Sequence, residues 1–422
     1  MSQDEQLSGG TASATAHVPS GRIGGGYWAW LTAAICSEFG SSVMAFAIVW
    51  TATGFGGTTA GLVNSAMLLF STVLLLAGGA LGDRYGPRRI MIVCDGSMLF
   101  LTGFAAVWFA SHDPTIGSLV AVGCMLGIVS AFYDPASGVF PRLFVDDSQL
   151  TRVMATTSSA LQVARIAGPA AAGVLLAWIG LTWVVALNTL SFLLVFITVL
   201  LVVPPRAARR PDTQHTGLRD AWRSLRTAGQ HKVLLPLLAA FTVLVAGTSP
   251  ALALLFPLLA RNNGWSAASA GLMEASFMAA ALAIGVTVAI RGAMSRPSIA
   301  LVGAPLLAGL GLLTVAVAPS VWVACIGAAA VGTGLVTFNA HAIPRFLQAS
   351  PPGAQVRLQA LLGLTATVPA LVLSGPYGAL AQHVSPSWAL AAATAWALGS
   401  AAIMATTKPW SVPRTDPTPA TS

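Results

Sequence analysis

Four residues able to do proton or charge chemistry stand where charge is least welcome. Glu38, Asp134, Arg165 and Glu274 each lie inside a long apolar run, in a 422-residue chain of which only 8% is charged and 55% hydrophobic. A charge at the centre of a hydrocarbon layer costs at least ~2.5 kcal/mol, so such residues mark a function by default. A desolvated glutamate can take and release a proton, and a guanidinium beside it can retune it or hold an anion. Counted at 1.5 Å per residue, Glu38 lies about 16 Å into its run, Arg165 about 20 Å and Glu274 about 13 Å, all near mid-depth. The competing reading is a structural Glu38–Arg165 ion pair, with Glu274 reaching toward an interface. Asp134, in "FYDPA", lies nearer the end of its run, where a cap or gate contact competes with ligand chemistry.

Other side chains surround these charges. Gln162 is one turn from Arg165 on the same helical face, so both can enter one cavity. Phe46, Trp50, Tyr133, Met273, Phe277 and Met278 would make an apolar, adaptable wall, or else pack between helices. Asn64, Asn188, Asn339 and His341 could line a cavity, but each more readily makes an interhelical hydrogen bond. Asp95 is within two turns of "GDRYGPRR" and is expected to pair with its arginines.

Positioning these residues requires membrane-spanning helices. Runs such as "MLLFSTVLLLAGGALG" approach the roughly 20 residues that cross a ~30 Å core. Twelve segments are read, at 27–53, 58–81, 90–110, 115–140, 152–178, 181–203, 233–260, 266–290, 298–318, 320–343, 354–381 and 386–407. Gly180 in "WIGLTW" suits a tight turn between the fifth and sixth. Residues 1–26 and 408–422 read as disordered tails, the first without the apolar core of a signal peptide.

The net charge of +8 is a matter of topology and calls for no nucleic-acid partner. Nineteen of the 21 Lys and Arg fall on one face of this arrangement, leaving Arg261 on the other and Arg165 within a helix. The positive-inside rule then puts both termini in the cytoplasm of a multi-pass protein of the cell membrane. Cys36, Cys94, Cys124 and Cys325 lack ligand spacing and read as small core residues, so no metal is expected. Only two lysines occur, neither in a phosphate-binding glycine loop, which excludes ATP as power source. No nucleophile–base or metal cluster is visible, so no catalytic residue and no cofactor are expected.

The chain also repeats itself. Arg84 and Arg89 are matched by Arg291 and Arg296, and Gly168–Pro169 by Gly375–Pro376, all 207 residues on; "FPRLF" is matched by "IPRFL" 203 residues on. Similar offsets on one side indicate two parallel six-helix halves, 27–203 and 233–407, joined by the basic stretch 204–232. Within that linker, "GLRDAWRSLRTAG" could form an amphipathic helix on the membrane surface.

Two such halves resemble the major facilitator superfamily. Its signature between helices 2 and 3 has the form G-x-x-x-D-R-x-G-R-R. In "GALGDRYGPRR", Gly79, Asp83, Arg84, Gly86, Arg88 and Arg89 match it, with Pro87 inserted before the arginine pair. "ARIAGPAAAG" is similar to the Gly-Pro motif of the family's exporters through Gly168, Pro169 and Gly173, although Ala172 replaces a usual glycine. "GSSVMAFAIVWTATG" and "FYDPASGVFPRLF" resemble the branch that includes macrolide-efflux proteins and the enterobactin exporter. The arginine that the best-known drug exporters carry inside helix 4 is missing.

The resemblance implies an all-α fold of twelve transmembrane helices. It also implies a monomeric secondary exporter of amphipathic small molecules (drugs, antibiotics or siderophores), driven by inward proton flow through alternating access. Glu38, Glu274 and Asp134 would couple protons. Glu38, Arg165, Gln162, Phe46, Trp50, Tyr133, Met273, Phe277 and Asn339 would bind substrate. An importer would share this fold, and a lipid-translocating protein is a remoter alternative. The resemblance makes the 2–3 hairpin a latch between halves; a charged turn that only sets topology is the competing reading, to which Asp83 would add nothing. Asp83→Asn removes charge and keeps shape. It is expected to slow transport with insertion near normal, as measured by initial rates over a range of substrate concentrations; a wild-type rate throughout would reduce the hairpin to a topological signal.

Overall fold

A computed structural model describes residues 23–202, 204, 232–292, 294, 296–350 and 355–410, with the side chains of 76–80, 83, 147, 355–357, 359 and 360 outside that description. No strand occurs among the described residues. The first half contains α1 (Gly25–Thr53), α2 (Gly57–Tyr85), α3 (Pro87–Ser111) and α4 (Ile116–Val139). A helical stretch Asp147–Leu201 follows, in which Gly180 alone leaves helical geometry at φ 75°, ψ 174°. That value lies where only glycine is comfortable. It reverses the chain and divides the stretch into α5 (147–179) and α6 (181–201).

Hydrogen bonds on either side establish the reversal. Tyr27 reaches the Val153 carbonyl and Ser42 the Arg165 carbonyl, so α5 ascends beside α1. Thr182 donates to the Phe109 carbonyl and Thr189 to Thr102, so α6 descends against α3. The second half contains α7 (Leu234–Asn262, with a π-turn at Ala251–Leu255), α8 (Ala267–Arg291), α9 (Ile299–Ala316), α10 (Val321–Gln348), α11 (Gln355–His383) and α12 (Pro386–Thr407). Among the described residues, eleven stretches are long and apolar enough to cross a membrane. One of them, 148–201, is interrupted at Gly180. The linker residues 205–231 and most of both tails lie outside the described residues.

The 2–3 hairpin turns at Gly86, whose φ of 83° again needs glycine. Pro87 opens α3 at its first turn, where a missing N–H costs no helix bond. It is the residue that departs from the family pattern, and it starts a helix. Arg88 donates to the carbonyls of Val199 and Leu200 at 3.2 and 2.9 Å, holding the hairpin to the end of α6 in its own half. Arg84 lies over the Tyr85 ring, and Arg89 is exposed. The expected roles of Gly79 and of the Asp83 side chain fall outside the described residues. One expectation about the core needs correction: Cys36 is exposed, because it lies off the packed face of α1 that carries Ala33, Ala34 and Ser37.

The halves meet in two seams of small residues at the arginine-poor end. In one, a Cβ on Gly173 of α5 would fall on the Ala267 carbonyl of α8, and one on Gly271 would fall on the Pro169 carbonyl. In the other, Gly57 of α2 and Gly378 of α11 each face the other's carbonyl oxygen, and Gly61 faces the Ser374 carbonyl. Backbones approach this closely only where no side chain intervenes. Polar bonds close the same end. Thr58 donates its amide and hydroxyl to Gln382 at 2.9 and 2.5 Å, and Asn64 donates to Ser374 at 2.9 Å. Arg261 of α7 lies 4.6 Å from the Trp50 ring centroid and donates to Thr53 and to the Trp50 carbonyl at the end of α1.

Gly378→Val therefore cannot be accommodated with this end closed. Overpacking of roughly 1–3 kcal/mol would move the conformational equilibrium by about fivefold or more. A cysteine placed at Asn64, in a background without the native cysteines, should react correspondingly faster with an impermeant maleimide. Unchanged labelling would mean that the seam does not hold this end shut.

Candidate functional site

A cleft of about 350 Å³ lies inside the first half, and every residue lining it comes from α1 to α6. That volume is at the lower end of small-molecule sites. α1 and α4 contribute stripes set by the 3.6-residue helical period, and the other helices one or two residues each. From α1 come Ser37, Glu38, Ser41, Ser42 and Ala45; from α4 come Ser130, Tyr133, Asp134 and Ser137. Arg165 and Leu161 enter from α5, and Trp30, Met67, Met98 and Phe192 complete an apolar wall.

Arg165 Nε donates to Glu38 Oε1 at 2.7 Å. The pair faces the open cleft, with side-chain exposures of 57% for Arg165 and 23% for Glu38. A pair so exposed contributes about 0–1 kcal/mol to folding, far below what breaking a sealed ion pair would cost. Asp134 adds a second carboxylate to the same wall, so the cleft offers two carboxylates to one guanidinium.

Local backbone chemistry connects this pair to the seam. Pro169 has no N–H to give the carbonyl four residues earlier, which is that of Arg165. Ser42 of α1 donates to that freed carbonyl at 2.9 Å, and Gly168 leaves room because a Cβ there would collide with Ser42. Gly168, Pro169 and Gly173 thus form one joint: α1 enters at Gly168 and α8 at Gly173.

The structure brings Glu38, Arg165, Tyr133 and Asp134 together and places the other expected residues elsewhere. Met273 and Phe277 are buried in packing between helices, with Gly332 of α10 against the Phe277 carbonyl. Phe46 is buried and stacks on Trp50, which carries Arg261 at the closed end. Gln162 is exposed, and neither it nor Asn339 nor the half-buried Glu274 lines the cleft. Interhelical hydrogen bonding, the favoured reading for the remaining polar residues, holds for two of them, while a third bonds the loop after α8. Asn64 bonds Ser374, Asn188 bonds the Met44 sulfur, and His341 accepts from the Met294 amide at 2.8 Å. The expectation that Asp95 pairs with the loop arginines is wrong: it is fully buried with neither oxygen hydrogen-bonded, while Arg88 has turned to α6. The serine lining was missed. Its signal was present as serines one, three and four residues from Glu38, and as Ser130 and Ser137 one turn either side of the Tyr133–Asp134 pair.

The family model described as Major Facilitator Superfamily matches residues 30–372. The chain belongs to that superfamily. This major facilitator protein is 25% identical over 297 residues to macrolide efflux protein A of Streptococcus pyogenes, covering 68% of this chain and 71% of that one. It is 30% identical over 140 residues to multidrug efflux pump LfrA of Mycolicibacterium smegmatis (strain ATCC 700084 / mc(2)155), which covers 32% and 27% of the two chains. Among solved structures it matches a bacterial homologue of the iron transporter ferroportin in an inward-facing state. The TM-score is 0.71 at 16% identity, over 90% of this chain and 98% of that one, a likeness of fold. The protein is a multi-pass membrane transport protein and not an enzyme, and its relatives are efflux proteins.

The exposure of the ion pair separates its two possible uses. Glu38→Gln and Arg165→Gln should each leave the melting temperature close to wild type, since about 1 kcal/mol or less is at stake. Gradient-driven transport should fall steeply in Glu38→Gln, which keeps volume but cannot cycle a proton. A large loss of stability in each single variant, restored in the double variant, would instead identify a structural pair.

Proposed function

We propose that this chain is a proton-coupled exporter of amphipathic small molecules, working by alternating access as a monomer in the plasma membrane with both termini cytoplasmic. The observation that carries the reading is the Glu38–Arg165 pair, at 2.7 Å, on the wall of a cleft whose helices are sealed against the other half at the arginine-poor end. If the arginine-rich face is cytoplasmic, as the positive-inside rule expects, substrate enters this cleft from the cytoplasm. The efflux activity in the names of the relatives supports export over import.

The site's composition suggests its substrate class. Two carboxylates to one guanidinium favour a cationic amphiphile over an anionic siderophore, while Trp30, Met67, Met98 and Phe192 suit its apolar part. The ionised Glu38 of the pair would take a cationic substrate in place of Arg165. After substrate release outside, Glu38 would bind a proton there, and loss of that proton to the cytoplasm would re-form the pair. Glu274, in the second half, is the remaining candidate carrier, and no cofactor enters the cycle.

Vesicles containing the purified protein and an imposed pH gradient test this with ethidium and erythromycin as probes. Movement against the concentration gradient of either compound is expected only with the proton gradient present, and it should collapse on adding a protonophore. Uphill movement that ignores the proton gradient and follows sodium would overturn proton coupling. Accumulation in the direction of proton flow would overturn export.

A further inference from the structure

Arg261 is the one Lys or Arg at the arginine-poor end, and among the described residues no carboxylate pairs with it. Neutral groups hold it instead. The last four carbonyls of a helix have no partner within it, and the helix dipole makes that end attractive to cations. Trp50 belongs to this last turn of α1. The Gly54 amide turns to Thr51 and Ala52, which leaves the Trp50 carbonyl outside the helix ladder. Arg261 donates to that carbonyl at 3.1 Å and to the Thr53 hydroxyl at 2.6 Å, and Thr53 in turn donates to the same carbonyl. The guanidinium carbon stands 4.6 Å from the centroid of the Trp50 ring, which is parallel within 6° to the Phe46 ring stacked on it. Gly54 leaves space for the guanidinium, since a Cβ there would already stand 3.4 Å from one of its nitrogens.

An aromatic face beside a carbonyl and a hydroxyl, at the negative end of a helix, is a receptor for an organic cation. Here the protein's own guanidinium fills it. We infer that Arg261 is a tethered competitor of the cationic substrate: it fills the Trp50 receptor while the arginine-poor end is shut, and by retaking it displaces a cation lodged there while that end is open. The inference rests on the reading of this chain as an exporter of cationic amphiphiles.

The two partners belong to opposite halves, which couples their exchange to opening. The receptor is part of α1 and Arg261 part of α7, so parting the halves at this end takes the guanidinium off the ring. The vacated receptor then stands at the far end of the helix that carries Glu38, twelve residues or about 18 Å beyond it. A cation leaving the cleft on that side meets it on the way out. A tethered group competes at the effective concentration its tether sets. The apparent affinity of a free ligand falls with the fraction of time its site stands empty. Arg261 therefore weakens capture of a cation from the arginine-poor side without touching the cleft, whose lining comes from α1 to α6. Release at that end is favoured over re-entry.

Equilibrium binding of ethidium to the purified full-length protein tests this without transport. Every protein in the series carries Glu38→Gln, which neutralises the cleft carboxylate, and Gly378→Val, which biases the arginine-poor end open. Melting curves check that each variant is folded. Trp50→Leu should weaken ethidium binding about fivefold, the loss of one cation–π contact. Arg261→Gln should tighten it severalfold, and only while Trp50 is present. Arg261→Lys keeps the charge without the planar fork, so its affinity should fall between those of the Arg261 and Arg261→Gln proteins. An affinity indifferent to Trp50 would overturn the inference. An Arg261→Lys protein that binds as the Arg261 protein does would overturn it too, because charge repulsion alone would then explain the effect. In cells, propidium, a cation that stays outside, should inhibit efflux of preloaded ethidium at a severalfold lower concentration in Arg261→Gln than in wild type. Equal inhibition of the two would also overturn it. A wild type that extrudes no ethidium would overturn export of cations. Binding that depends on Trp50 and is limited by Arg261 would still stand in that case, so the two failures are distinguishable.

Discussion

Backbone-to-backbone contact at the arginine-poor end is the constraint on which the rest of this structure depends. In hydrocarbon there is little hydrophobic drive to hold one apolar helix against another, so association relies on close packing and on polar bonds. The α5–α8 and α2–α11 seams supply the packing through Gly173, Gly271, Gly57 and Gly378. Thr58, Asn64 and Arg261 supply the polar bonds. The two seams are related by the internal repeat: Gly173 and Gly378 play the same part in opposite halves. With one end closed by both, a cleft in the first half can stay open toward the arginine-rich end.

The Gly168–Pro169 joint makes the seam and the cleft parts of one mechanism. The same proline that exposes its own carbonyl to Gly271 leaves the Arg165 carbonyl without a helical partner, and Ser42 of α1 takes that place. Parting of α8 from α5 would therefore disturb a residue whose backbone is tied to α1 and whose guanidinium holds Glu38. A two-state machine needs discrete contacts of this kind that exchange as a set. The 2–3 hairpin is held within its own half, with Arg88 bonded to the end of α6.

Much of this was legible in the sequence because membrane physics leaves few choices. Length and apolarity dictated helices, arginine distribution dictated which ends share a face, and repeated motifs indicated two halves. Gly180 was readable as the turn that separates α5 from α6. Glu38 and Arg165 stood out because charges are rare at that depth, and their spacing along separate helices put them at similar heights. Even the serine stripes around Glu38 and Tyr133 were present as periodicity, hidden only by the commonness of serine in the chain.

Facing directions were not legible. Met273, Phe277, Phe46 and Trp50 have the composition of a binding wall. In near-uniformly apolar helices, periodicity does not say which side meets lipid, a neighbour or a cleft. Tertiary packing decided that, and it assigned Trp50 to the closed end and Phe277 to the α8–α10 contact. It also decided the fate of Asp95. Proximity along the chain suggested an arginine partner, but Arg88 found better acceptors in the free carbonyls at the end of α6. The sequence determined which residues carry charge and at what depth. Only the fold determined which charges meet, because helix rotation and the pairing of helix ends depend on contacts between segments more than a hundred residues apart.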